Sequence, residues 1–169
     1  IFKTYSDLKD GKDINNYNNI VLNNYALGSE CKDQKIFFSH EDLSIGTASF
    51  LDSDSFENSE IVHINTIDNI CHRLKTPDFL KIDVEGFQMQ VIKGGSDFFK
   101  NNLPLIMIEI DNDTDQWLED YFLNLDYQFY RFHKNYLTQV DSIFNNGRNI
   151  LFCQPESKYS KRIESILYE

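Results

Sequence analysis

The chain runs to 169 residues, enough for one domain with a sizeable core and short for two. Its 16 basic residues against 27 acidic ones leave a formal net charge of −11, so duplex nucleic acid and anionic membrane surfaces, which would meet it with repulsion, are poor main partners. No apolar run approaches the roughly 18 residues of a membrane span, and the distant Cys31, Cys71 and Cys153 predict free thiols in a reducing, cytoplasmic setting.

In chain order, residues 20–22 read as a strand closed by polar turns at Asn23-Asn24 and Gly28-Ser29. Residues 35–38 and 61–64 read as short strands flanking a polar loop, DSDSFENSE at 52–60. Thr66 is placed to cap a helix through Leu74, with Ile67, Ile70 and Leu74 along one side. The runs DFLKIDV at 78–84 and PLIMIEI at 104–110 have the near-continuous apolar character of parallel strands buried on both faces. Between them Phe87, Val91 and Ile92 share a helical face, Gly94-Gly95 break the helix, and Ser96 is suited to cap a second short turn. Strand, helix and strand at this spacing make a βαβ unit. An amphipathic helix from near Thr114 carries Trp117, Leu118, Tyr121, Phe122 and Leu125. Residues 127–132 and 149–153 form a last pair of strands joined by a polar loop, 134–148, long enough to be functional. From Glu156 a helix turns Tyr159, Ile163, Ile166 and Leu167 inward. Residues 1–169 thus form a single α/β domain.

In open α/β sheets, ligands gather outside the carboxyl ends of the parallel strands. The first central strand ends in Lys81, Asp83, Glu85 and Gly86, the second in Glu109, Asp111, Asn112 and Asp113. Alternation puts Lys81 and Asp83 on one face, and a charge inside FLKIDV demands a partner, either Asp83 or Glu109 for Lys81. Such a network either pins register or lines a polar pocket, and its strand-end position favours the pocket. Of four histidines none has metal-ligand spacing; His133, opening the long loop, is the outside candidate for a general base.

The segment KIDVEGFQMQVIKGG at 81–95, followed by LPLIMIEI at 103–110, closely resembles the signature of FkbM-type S-adenosylmethionine-dependent methyltransferases. NNIVLNNYALGS at 18–29 is similar to that family's third strand and its turn, SIGTASF at 44–50 to its Gly-Ser-type loop, and INTIDNI at 64–70 to its Thr-x-Asp segment. The resemblance implies a Rossmann-like class I methyltransferase sheet, parallel with one antiparallel strand and ordered 3-2-1-4-5-7-6, in which DFLKIDV is strand 4 and PLIMIEI strand 5. The glycine-rich loop after strand 1 and the carboxylate after strand 2 have no counterpart, and IFKTYSDLKD looks like the helix after strand 2. The chain is therefore expected to lack the first two strands and to be the larger, C-terminal part of a full enzyme.

The resemblance further implies S-adenosylmethionine as cofactor and O-methylation of a hydroxyl on a sugar, polyketide or similar small metabolite. The partner is then a small-molecule or glycan acceptor. Asp83 and Glu85 are the carboxylates available as base, tuned by Lys81 or Glu109. Asn24, Ala26 and Leu27 fall where the loop after strand 3 meets the adenine, and Asp83 falls near the reactive methyl. Gln88 departs from the Glu often found there. Asp83 with Asp111-Asn112 also resembles the magnesium site of catechol-type methyltransferases, but the FkbM pattern implies no metal and none is expected. The alternative is a non-catalytic methyltransferase-fold module used for binding or assembly.

Overall fold

The computed structural model describes residues 2–38, 58–73, 75–84, 86–110, 116–145 and 148–167. Helix α1 (Phe2–Ile14) opens the chain, followed by β1 (Ala26–Leu27), β2 (Lys32–Phe38), β3 (Asn58–Asn65) and α2 (Ile67–Cys71). Then come β4 (Phe79–Ile82), α3 (Gln88–Lys93), α4 (Ser96–Asn102) and β5 (Leu105–Glu109). The last third holds α5 (Gln116–Leu123), β6 (Gln128–Phe132), β7 (Leu137–Val140), β8 (Asn149–Cys153) and α6 (Ser160–Glu164).

The strands form two sheets, ordered β1-β3-β2 and β4-β5-β8-β6-β7. In the larger, β4 and β5 are parallel, while β8 runs antiparallel between β5 and β6. Both β5 and β8 are covered on two faces, which is why their sequences are apolar without alternation. Ile106, Ile108, Ile150 and Phe152 enter the main core, whereas Leu151 and Cys153 join a second cluster with Tyr130, Leu137 and Ile163. Across the main core, Phe98, Phe99, Phe122, Phe152 and Phe129 meet edge to face in sequence, with centroids 5.2, 5.5, 4.9 and 5.0 Å apart. Such pairs add about 0.5–1.5 kcal/mol each beyond area burial.

Several expectations change. Residues 20–22 are no strand: Ile20 and Val21 are exposed, and parallel pairing begins only at Ala26, opposite Ile64. Apolar residues need a neighbouring chain for their N–H and C=O groups before they become a strand. β4 pairs only with β5 among the described strands and leaves Phe79 exposed, so that strand is not buried on both faces. The polar stretch from Asn58 is already β3, because Asn58, Ser59 and Glu60 sit opposite Phe38, Phe37 and Ile36. Within 134–148, residues Leu137–Val140 form β7 against β6, with Leu137 buried and Gln139 outward. Polar side chains on such an edge strand discourage further pairing, and they hid the strand in the sequence. Ser96 makes no side-chain cap, α6 begins at Ser160, and Ile166 is exposed rather than inward. The loop at 44–50, residues 52–57 and Leu74 lie outside the described residues.

Candidate active site

The parallel register sets Lys81 beside Met107 and Ile82 beside Ile108, so the chain leaves β4 at Asp83 level with Glu109 at the end of β5. β8 runs the other way and pairs Asn149 with Glu109, which delivers Arg148 to the same end of the sheet. The Ile110 N–H donates to the Arg148 carbonyl at 2.5 Å, tying the two backbones together there. Four charged side chains meet as a result. Lys81 Nζ is paired with Asp83 Oδ2, Arg148 Nη2 lies 2.6 Å from Glu109 Oε1, and Asp83 shares a hydrogen bond with Glu109. Of the two partners expected for Lys81, Asp83 is the one it meets, and the pair is exposed rather than buried.

Glu109 and Lys81, by hydrogen bonding, hold the Asp83 carboxyl below its usual range, with the charges of Lys81 and Arg148 adding to the effect against a smaller desolvation. Asp83 stays an anion well below neutrality. From the buried side, Gln88 Nε2 donates to the Glu109 carbonyl at 3.2 Å. A glutamate at position 88 would need a proton to do the same, so the amide is the residue that suits this contact.

The segment leading to Arg148 has its own anchor. Glu119 of α5, buried, accepts from Ser142 Oγ and the Ile143 N–H through Oε2, both at 2.6 Å, and from Gln116 Nε2 through Oε1 at 2.9 Å. Burial alone would raise the Glu119 pKa, but these donors outweigh it and hold the group low.

A second feature lies between the small sheet and α3. Gly28, Ser29, Lys32, Ile64, Phe87 and Gln90 are among the residues lining a cleft of about 240 Å³. Its walls are held by the signature residues. A Cβ on Gly94 would overlap the Gly28 carbonyl, and one on Gly95 would lie 2.8 Å from the Phe99 ring and 3.0 Å from Ile67 Cβ. Glycine at 94 thus allows the end of α3 to approach the turn after β1, and glycine at 95 leaves room for Ile67 and Phe99. Thr66 Oγ1 accepts from the Asn69 N–H at 3.1 Å to cap α2, as its position predicts. Asp68 reaches across to accept from the Phe98 N–H at 2.8 Å and the Asp97 N–H at 3.3 Å, capping α4 in place of Ser96. The Thr-x-Asp segment is thus a pair of helix caps.

Lys81 and Asp83 are brought together with Glu109, while Glu85, Asp111, Asn112 and Asp113 lie outside the described residues. Ala26 and Leu27 form β1 and Asn24 precedes it exposed, so all three lead into the rim of the cleft at Gly28. Phe87, which lines the cleft, follows Asp83 by four residues in the chain. Arg148 was missed by sequence reasoning; its one signal is a cation at the mouth of the apolar run NILFC. His133 stacks on Tyr136 at 4.4 Å in the β6–β7 turn.

A family model described as the methyltransferase FkbM domain matches residues 8–135. Among solved structures, the methyltransferase FkbM from Methylobacillus flagellatus KT is similar in fold, with a TM-score of 0.54 and 18% identity over 90% of this chain and 33% of that one. This chain therefore spans about a third of that protein's length. No curated protein matches.

Proposed function

Because the chain belongs to the methyltransferase FkbM domain family, we propose that it takes part in methyl transfer from S-adenosylmethionine to a hydroxyl of a small-molecule or glycan acceptor, at the carboxyl ends of β4 and β5. A sugar, polyketide or related metabolite is the acceptor class. The order β4-β5-β8-β6, with β8 antiparallel between two strands of like direction, supports a Rossmann-like sheet for this chemistry. Free Cys31, Cys71 and Cys153 support a cytoplasmic setting, and among the described residues no helix is long and apolar enough to cross a membrane.

The residues present fit the donor in two places. Phe87 gives a largely polar cleft one apolar side against which a flat base can lie, approached by Asn24, Ala26 and Leu27. Asp83, ionised at neutral pH, suits the neighbourhood of a sulfonium cation. Bound there, the donor supplies an electrophilic methyl group. The chain's own work is to align the acceptor hydroxyl and take its proton. With its pKa held low, Asp83 alone is a weak proton acceptor, and Glu109 beside it offers a second carboxylate at the same strand end. Lys81 and Arg148 hold the two carboxylates in place.

The observation that carries this reading is the gathering of Asp83 and Glu109, each paired with a cation, at adjacent strand ends. Transfer of a tritiated methyl group, measured beside donor affinity, tests it. Asp83→Asn should lower turnover by about 100-fold or more, the usual contribution of a positioned base, while donor affinity holds within about threefold. Unchanged turnover rejects the assignment. Glu85→Gln, assayed in parallel, tests the second carboxylate that the sequence offers.

A further inference from the structure

We propose that Arg148 forms an oxyanion subsite beside the carboxylate pair and selects acceptors that carry a carboxylate or phosphate group. The proposal deepens the methyl-transfer reading and rests on it for the acceptor's identity. Its basis is an asymmetry within one ion pair. Glu109 is largely covered, its side chain 18% exposed, whereas the Arg148 side chain that meets it is 70% exposed. One edge of the guanidinium meets Glu109, and much of the rest of the Arg148 side chain faces water.

The chemistry follows from the shape of the group. A guanidinium has five N–H donors in a planar fork, and the contact with Glu109 engages Nη2. The rest of the fork offers the paired donors that a carboxylate or phosphate accepts in two-point fashion, which an ammonium group cannot reproduce. Immobilising an exposed arginine normally costs side-chain entropy on binding. Here Glu109 holds the side chain, and the Ile110 N–H at 2.5 Å fixes the backbone, so much of that ordering precedes the ligand.

Charge strengthens the argument. The protein's formal net charge of −11 repels anions at long range, so an anionic acceptor needs a local cation to bind. Lys81 and Arg148 face Asp83 and Glu109. Both cations stand at the strand ends beside the carboxylates, and Arg148, the more exposed of the two, is the one an anion can reach.

The test follows the arginine Nε–Hε resonances of the 15N-labelled chain, with that of Arg148 assigned by its loss in Arg148→Lys. Three probes are titrated at matched ionic strength: inorganic phosphate, methyl glucuronide and neutral methyl glucoside. The expected result is a saturable shift of the Arg148 resonance with phosphate, with the glucuronide, or with both, and none with the glucoside. Response to the glucuronide alone assigns carboxylate acceptors, and to phosphate alone phosphorylated ones. In Arg148→Lys, whose melting temperature should match the parent's, affinity for the active anion read from other shifted resonances should fall at least about tenfold. No saturable shift with either anion, an equal shift with the glucoside, or unchanged affinity in Arg148→Lys overturns the proposal. No methyl donor enters the titration, so failure of this subsite and failure of methyl transfer give separate results.

Discussion

Glu119 is the most heavily hydrogen-bonded carboxylate on the path to the site, and its donors set a pH dependence that can be measured. Ser142 Oγ, the Ile143 N–H and Gln116 hold its folded pKa below the unfolded value despite burial. A depressed carboxyl pKa contributes stability that is fully present above the unfolded value, about 4.3, and is lost as pH falls through the folded one. Glu119→Gln should therefore cost about 1–3 kcal/mol in urea unfolding at pH 7, and the gap from the parent should narrow near pH 3. A gap independent of pH would contradict the assignment. Asp83 works in the same direction, but at 44% side-chain exposure its contribution is screened by solvent. At this scale the sequence is readable where partners are near in the chain. A lysine inside FLKIDV demands a counter-charge, and Asp83 is two residues away. Arg148 and Glu109 meet only because antiparallel pairing folds one onto the other, and Glu119 looks like a solvated helix residue until Ser142 and Ile143 return to it.

The elements around the cleft depend on two glycines for different reasons, and substitutions separate them. Gly86 has φ of +69° with open space where a Cβ would go, so Gly86→Ala meets only the backbone cost of the left-handed region, about 1–2 kcal/mol. At Gly94 the conformation is ordinary helix and the obstacle is the Gly28 carbonyl. Gly94→Ala should cost about 1–3 kcal/mol and also move the turn after β1, which Gly86→Ala should leave in place. Thermal denaturation measures the first effect, and chemical shifts at Gly28 and Ser29 the second. Asp68→Ala should remove the cap of α4 at a cost of about 1 kcal/mol, whereas Ser96→Ala should be nearly neutral. Elements with a clear apolar run were readable, namely the parallel β4–β5 pair and the strands over NILFC and YQFYRF, whereas α1 was expected only from the family resemblance. Those decided by pairing were not. β7 consists of mixed residues made a strand by β6, and residues 20–22 are apolar but lack a strand neighbour among the described residues.

For the whole molecule, two sheets meet at α3, one ending in a carboxylate pair with its cations and the other turning at Gly28 into a cleft. Order along the chain and the buried central strands could be read from apolar runs. The relation between the sheets could not, since it rests on glycine contacts and on Asp68 reaching from one helix to another. We propose that the cleft and the carboxylate pair serve one donor from its two ends. A crystal structure of the protein with S-adenosylhomocysteine tests this most directly. The predicted result is the ligand bound between the Asn24–Leu27 segment and Asp83, passing Phe87, with Arg148 still reaching solvent from Glu109. The contradicting result is the ligand absent from that path while Asp83 is turned into the protein body.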